Sequence, residues 1–373
     1  MTPRQQLLAV YSGQTPDQVP YMLDLSHWFY WQRRLPWDLS ASYEEPEGAL
    51  IDYHRQVGAG FYLPNLGAFY AAQFDDTVKA TTTKETHQGA AQIRWRLETP
   101  LGSIERARRW EEQTYAWGIS EWGIRSERDL EIFAWAMSRR TFAPRWEKYQ
   151  AWVDYVGDRG VVYLPAGYSA MGYLMHLWMG VEQVVYAAAD IPAALSRAVA
   201  AVNANNLELI DLLCTSPAEV VLLGDNFSSD MQPPSFFAAW SEAFYAEAIR
   251  RLHRAGKKVA VHIDGRLRGA LAMFARIGAD CGDAITPQPM GDLSPRQCRE
   301  EAGTDFILSG GVSPELWLPQ TPLPVFERKV IEWLELGRLS PRLIAAAGDQ
   351  VPPGADEARI HRMRELVEEH GRY

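Results

Sequence analysis

The segment Lys258 to Gly265, KVAVHIDG, holds a histidine and a carboxylate two residues apart in a β-branched run. Side chains of an extended strand alternate, so Ala260, His262 and Asp264 share one face and Val259, Val261 and Ile263 the other. A polar face at the C-terminal end of a central strand is where a (β/α)8 enzyme carries its chemistry. His262 and Asp264 can act there as acid and base, as metal ligands or as an orienting dyad. A hydrogen-bonded polar pair within the interior is the structural alternative.

Two further strand ends supply carboxylates. VLLGDNFSSD sets Asp225 and Asn226 at a strand terminus, as catalytic and substrate-holding candidates or as a loop cap and turn. IAAAGDQVPPG sets Asp349 and Gln350 at the mouth of the last strand, Gln350 as a substrate ligand. The small residues before Asp349 leave room for a bulky ligand or fill a narrow interior. The Gly310-Gly311 pair of LSGGVSP permits close backbone approach. After the first strand, Trp28 and Trp31 beside Arg33 and Arg34 offer an aromatic wall with guanidinium groups for a planar or anionic ligand, or else one apolar helix face. Tyr168 begins a similar aromatic stretch.

The elements that must position these residues are βα units. Strands are expected at Val19–Leu25, Ala59–Leu63, Gly160–Ala166, Glu219–Asp225, Lys258–Asp264, Cys281–Thr286, Asp305–Ser309 and Leu343–Ala347. Helical periodicity covers Met179–Leu213, Pro234–Ala255, Arg266–Ile277 and Asp356–Glu369. Eight strands alternating with helices predict an α/β fold, a single (β/α)8 TIM barrel over 1–373. Alternating residues about Pro100-Leu101-Gly102 predict a β-hairpin excursion at about 91–108.

A net charge of −10, from 37 basic and 47 acidic residues, argues against a nucleic-acid or anionic-membrane binder. Three cysteines without disulfide or zinc-finger spacing, no signal-like leader and no long apolar run lead to the expectation of a cytoplasmic protein that neither is secreted nor spans a membrane. A homodimer is the default assembly.

PAGYSAMGYLMHLWMGVEQVVYAAADIPA, RLHRAGKKVAVHIDG, ILSGGVSPELW and AAAGDQVPP, in that order, resemble the uroporphyrinogen decarboxylase superfamily. The resemblance runs from about Asp17 to the C-terminus and implies a (β/α)8 barrel with its site at the strand C-termini. The superfamily divides into porphyrinogen decarboxylases and methyltransferases working with corrinoid proteins. Decarboxylases carry Arg-Gln-Ala-Gly-Arg where this chain has DLSHWFYWQRR, and Gly-His where Gly348-Asp349 stands. Zinc methyltransferases carry His-x-Cys at His262-Ile263-Asp264 and Gly-Cys at Gly348-Asp349, so carboxylates replace both thiolates. GDLSP, TPLGS and SERDLEIF are similar to the methyltransferase side.

The resemblance thus implies a methyltransferase-like enzyme. It would act on a small methoxy or methylamine-type substrate with a corrinoid carrier protein as partner, and with a divalent metal, zinc foremost, held by His262, Asp264 and Asp349. The alternatives are a decarboxylase or lyase of a carboxylated, tetrapyrrole-like substrate, and a non-catalytic tetrapyrrole-binding protein.

Overall fold

The computed structural model describes residues 1–35, 38–39, 45–64 and 67–373. Helix α1 (Pro3–Tyr11) starts at a capping box, with Thr2 and Gln5 exchanging side-chain and backbone hydrogen bonds and Pro3 in the first turn. Residues 20–23 follow in extended form, then α2 (Ser26–Gln32), α3 (Gly48–Val57) and a second extended stretch at 59–62.

The chain then leaves along β1 (Tyr70–Phe74) and returns along β6 (Arg140–Pro144), an antiparallel pair that runs from Tyr70 opposite Pro144 to Phe74 opposite Arg140. Between them lie a four-stranded antiparallel meander, β2 (Lys79–His87), β3 (Ala90–Thr99), β4 (Gly102–Glu111) and β5 (Ala116–Glu121), and helix α4 (Glu127–Met137). The expected hairpin is therefore real as β3 and β4, turning at Pro100-Leu101 with Thr99 opposite Gly102, but it is half of a larger sheet. Arg140 ties this excursion down, donating to Asn205 Oδ1 at 3.1 Å and Asn206 Oδ1 at 2.7 Å.

After α5 (Trp146–Val156) comes the repeating part. It runs β7 (Leu164–Pro165), α6 (Ala170–Tyr173), α7 (Val181–Asp190), α8 (Pro192–Cys214), β8 (Val220–Leu223), α9 (Pro234–Trp240), α10 (Glu242–Arg254) and β9 (Lys258–His262). It continues as α11 (Ala270–Arg276), β10 (Cys281–Ile285), α12 (Pro295–Ala302), β11 (Ile307–Val312), α13 (Leu323–Leu334), β12 (Leu343–Ala347) and α14 (Glu357–His370). Strands β7 to β12 form one parallel sheet in sequence order. The first two expected strands are not full strands. They join the sheet through single parallel bridges, Tyr21 to Ala345, Met22 to Gly60 and Phe61 to Gly160.

Two expected helices are each broken in two. Pro192 lacks an N–H and cannot continue α7, so α8 starts afresh at 119° to it. At Ser241 the hydroxyl turns to Gln232 Oε1 at 2.7 Å, separating α9 from α10. Among the described residues no single helix is long and apolar enough to cross a membrane.

The pleat sorts the sheet's residues into two cores. Val221, Val259, Val261, Ile263 and Leu308 pack under the helices, while Leu222, Ala260, Cys281, Ile307 and Ile344 pack on the opposite face with Leu7, Val10 and Tyr11 of α1. There the Tyr11 and Tyr163 hydroxyls meet at 2.8 Å.

Candidate active site

The phase that buries Ala260 on the face opposite the helices carries His262 to the end of the same face, as the alternation predicts. Asp283 of β10 lies beside it in register, and the Nδ1–H of His262 donates to Asp283 Oδ2 at 3.0 Å. The Asp283 side chain is only 1% exposed, and its Oδ1 lies 3.5 Å from the Ser309 hydroxyl. Nε2 of His262 is thereby aimed outward, 3.8 Å from Asp349 Oδ1. Burial would lower the basicity of His262. The Asp283 hydrogen bond and charge outweigh it and, helped by Asp349 and Asp264, lift the imidazole to about 9. Burial, the charge of Asp264 and that of Asp24 together raise the Asp349 carboxyl to about 7, against the pull of His262. The site sets a histidine raised to about 9 between Asp283, bonded to its Nδ1, and an Asp349 carboxyl raised to about 7.

Gln350 reaches the mouth but is engaged, its Nε2 donating to Asp24 Oδ2 at 3.1 Å. Asp24 Oδ1 accepts from the Ser26 backbone N–H at 2.9 Å, and its carbonyl accepts from Val351 N–H at 2.9 Å, so Asp24 staples the end of the first segment to the end of β12.

The structure corrects several sequence expectations. Asp225 is not offered to a substrate. It is 1% exposed, and its oxygens accept the backbone N–H and hydroxyl of Ser169, so it anchors the loop bearing Tyr168. Burial raises its carboxyl despite those bonds. Neighbouring Asn226 takes a left-handed turn at φ 46°. Trp28 is core, 1% exposed, with its Nε1–H donating to Ala355 O at 3.0 Å, because helix α2 buries its apolar face. Trp31 is half-buried under Arg34, which is exposed and 3.8 Å from Glu112, while exposed Arg33 lies over Phe29. Tyr168 does belong to the mouth. It is half-buried, and its hydroxyl is raised to about 12 by burial, against Arg108 and with the fields of Asp225 and Asp264. Gly310 and Gly311 serve packing rather than a ligand, since a Cβ at either would lie 2.2 Å from the Ile285 carbonyl or the Trp333 ring.

The expected metal set is not assembled. Nδ1 of His262 is held by Asp283, which leaves Nε2 as its one nitrogen toward Asp349, and among the described residues no group of three His, Cys, Asp or Glu side chains is arranged to hold a metal ion. With carboxylates at 264 and 349 where the resemblance puts thiolates, the donor set differs from the zinc site that the resemblance implies.

Parallel strands wrapped by helices, with titratable groups gathered at the strand C-termini, define an α/β protein of enzyme type. The uroporphyrinogen decarboxylase (URO-D) family pattern matches residues 164–370, and the chain belongs to that family, whose members are decarboxylases or methyltransferases. Among solved structures it is similar to a methyltransferase from Methanosarcina mazei, with 14% identity, TM-score 0.65 and 99% of each chain covered, a likeness of fold. A 3-dehydroquinate dehydratase from Geobacillus kaustophilus matches at TM-score 0.26 and 17% identity over 50% of this chain and 74% of its own, which carries no argument. No curated protein sequence matches.

Asp283, Asp24 and Ser169 were not legible as site residues in the sequence. For Asp283 the signal was available: with β9 and β10 parallel, the inward phase of Cys281 carries Asp283 to the level of His262.

Proposed function

We propose that this chain is a methyltransferase-type member of its family, in which His262 acts as general acid on the leaving group of a small methoxy or methylamine-type substrate. The observation that supports this most is the locked imidazole: Asp283 fixes Nδ1, and Nε2 points to the mouth beside Asp349. A histidine held cationic near neutral pH is a proton donor rather than a base.

The methyl acceptor in this reading is the reduced corrinoid of a separate partner protein, which supplies the nucleophile. As the carbon–heteroatom bond breaks, the Nε2 proton passes to the departing oxygen or nitrogen, so that an alcohol or amine leaves rather than an anion. Asp349, with its carboxyl raised to about 7, can return a proton to the imidazole. Asp283 keeps the ring oriented through its bond to Nδ1. No step runs through a metal. The bridges of residues 21, 22, 60 and 61 support reading the sheet as a closed eight-stranded barrel, with the mouth at the strand C-termini.

The test is transfer of isotopically labelled methyl to free cob(I)alamin from a panel of methoxylated and methylaminated compounds, with wild type beside His262→Asn. Loss of transfer by roughly 10²- to 10⁴-fold in the variant supports the reading. Carbon dioxide release from a carboxylated substrate without corrinoid would replace it with the carboxy-lyase alternative, which the protonatable Asp349 favours as proton donor to a carbanion.

A further inference from the structure

We propose that Arg106 and Arg108 of the meander form an oxyanion-binding subsite at the mouth, which takes a carboxylate or phosphate group of the substrate and so points its other end at His262. The proposal rests on the reading that the strand ends around His262 are the substrate site.

Arg106 and Arg108 share one face of β4, with Arg106 paired to Trp95 of β3. The Arg106 guanidinium lies 4.2 Å from the Trp95 ring centre and 5.2 Å from that of Trp178. Arg108 makes two long bonds, to the carbonyls of Trp117 and His176, each at 3.4 Å. Nε and Nη1 of Arg106 and Nε of Arg108 are buried without a hydrogen-bond partner among the described residues. The opposite face of the same sheet behaves differently: Arg94 is satisfied by Glu85, Glu105 and a two-pronged bond to Glu121 at 2.8 Å. Two adjacent, half-buried guanidinium groups without a carboxylate repel each other and lack the counter-charge that cations removed from water need. Trp95 and Trp178 lie beside the Arg106 guanidinium, and its Nε and Nη1 donors are left unpaired, donors of the kind that a carboxylate or phosphate oxygen satisfies.

Tyr168 links this cationic wall to the acidic floor. Its ring centre lies 5.7 Å from that of Tyr173 and 6.3 Å from that of His176, and its hydroxyl feels the charges of Arg108, Asp225 and Asp264. A substrate with one anionic end has a single favourable orientation between them.

The experiment is calorimetric and tryptophan-fluorescence titration with inorganic phosphate and with succinate, using succinamide as the neutral control. Wild type is to bind at least one anion saturably and succinamide not at all, and the preferred anion identifies the group. Arg108→Met and Arg106→Met are each to weaken binding roughly tenfold or more, Arg108→Lys less, and exposed Arg33→Met not at all. Arg108→Lys keeps the charge and most of the packing, so it remains informative should a methionine variant fail to fold. Absence of a saturable anion signal in wild type, or equal affinity in wild type and the folded Arg108 variants, overturns the proposal. Binding needs no turnover: anion binding without methyl transfer would overturn the proposed function and leave this subsite standing.

Discussion

His262 and Asp283 stand side by side on adjacent parallel strands, joined by a 3.0 Å hydrogen bond from Nδ1 to Oδ2. Both are carried by backbone that the sheet holds in register, so the pair is rigid and is not rebuilt when a substrate arrives. That rigidity sets both the direction of the free nitrogen and its protonation.

Asp283→Asn keeps the shape and removes the charge. The expected result is a fall in kcat of about 10- to 100-fold, with the His262 titration moved to lower pH because its largest upward influence is gone. Histidine ring NMR and the pH–rate profile check this, and a merely structural Asp283 would leave both pH readouts unmoved.

Stability should decline as pH rises through the neutral range. His262 is raised in the fold, so its contribution of about 3 kcal/mol is full below pH 6.5 and is lost by about 9. The Asp349 carboxyl is also raised, so ionising it costs stability from its ordinary range upward to about 7. Urea unfolding between pH 4 and pH 9 should show the slope in wild type and a shallower one in His262→Gln.

Ser169→Ala removes the hydroxyl partner of the buried Asp225 carboxylate. It should cost about 1–3 kcal/mol in chemical unfolding. Activity should fall with it, because the loop bearing Tyr168 loses its anchor.

Trp28→Ala should cost about 3–5 kcal/mol, since the ring is core and its N–H is bonded to Ala355. Arg34→Ala, at an exposed position, should stay within about 0.5 kcal/mol of wild type and leave KM unchanged. An aromatic and guanidinium substrate wall would give the reverse pattern in KM.

Gly310→Ala places a methyl against the Ile285 carbonyl at φ 151°, backbone against backbone, which no rotamer relieves. A loss of about 3 kcal/mol is expected in thermal or urea unfolding.

Sheet strands such as β8 and β12 were legible because buried parallel strands read as apolar runs, and VVLL or LIAAA admits little else. Strand β2, KATTTKETH, was not legible: it is exposed or half-exposed along its whole length and shows no apolar alternation. The breaks at Pro192 and Ser241 were hidden inside helical periodicity that continues on either side of them. His262 and Asp349 could be placed at strand ends because the apolar runs before them show where β9 and β12 stop. Asp225 was misread because its partner, Ser169, lies 56 residues away, and Trp28 because an aromatic helix face looks the same whether it meets a ligand or a core.

The chain leaves at Phe74 and returns at Arg140, and these two positions face each other across a two-stranded stem. Everything between them, Arg106 and Arg108 included, hangs from neighbouring points of attachment, whereas His262, Asp283 and Asp349 belong to the repeating part matched by the family pattern, which starts at residue 164. The group proposed to release protons and the groups proposed to choose the ligand thus have separate addresses in the chain. A different meander could be grafted onto the same stem to redirect the protein to another anion, provided that the graft kept Leu97, Ile104, Leu130 and Phe133, which seal it against α8.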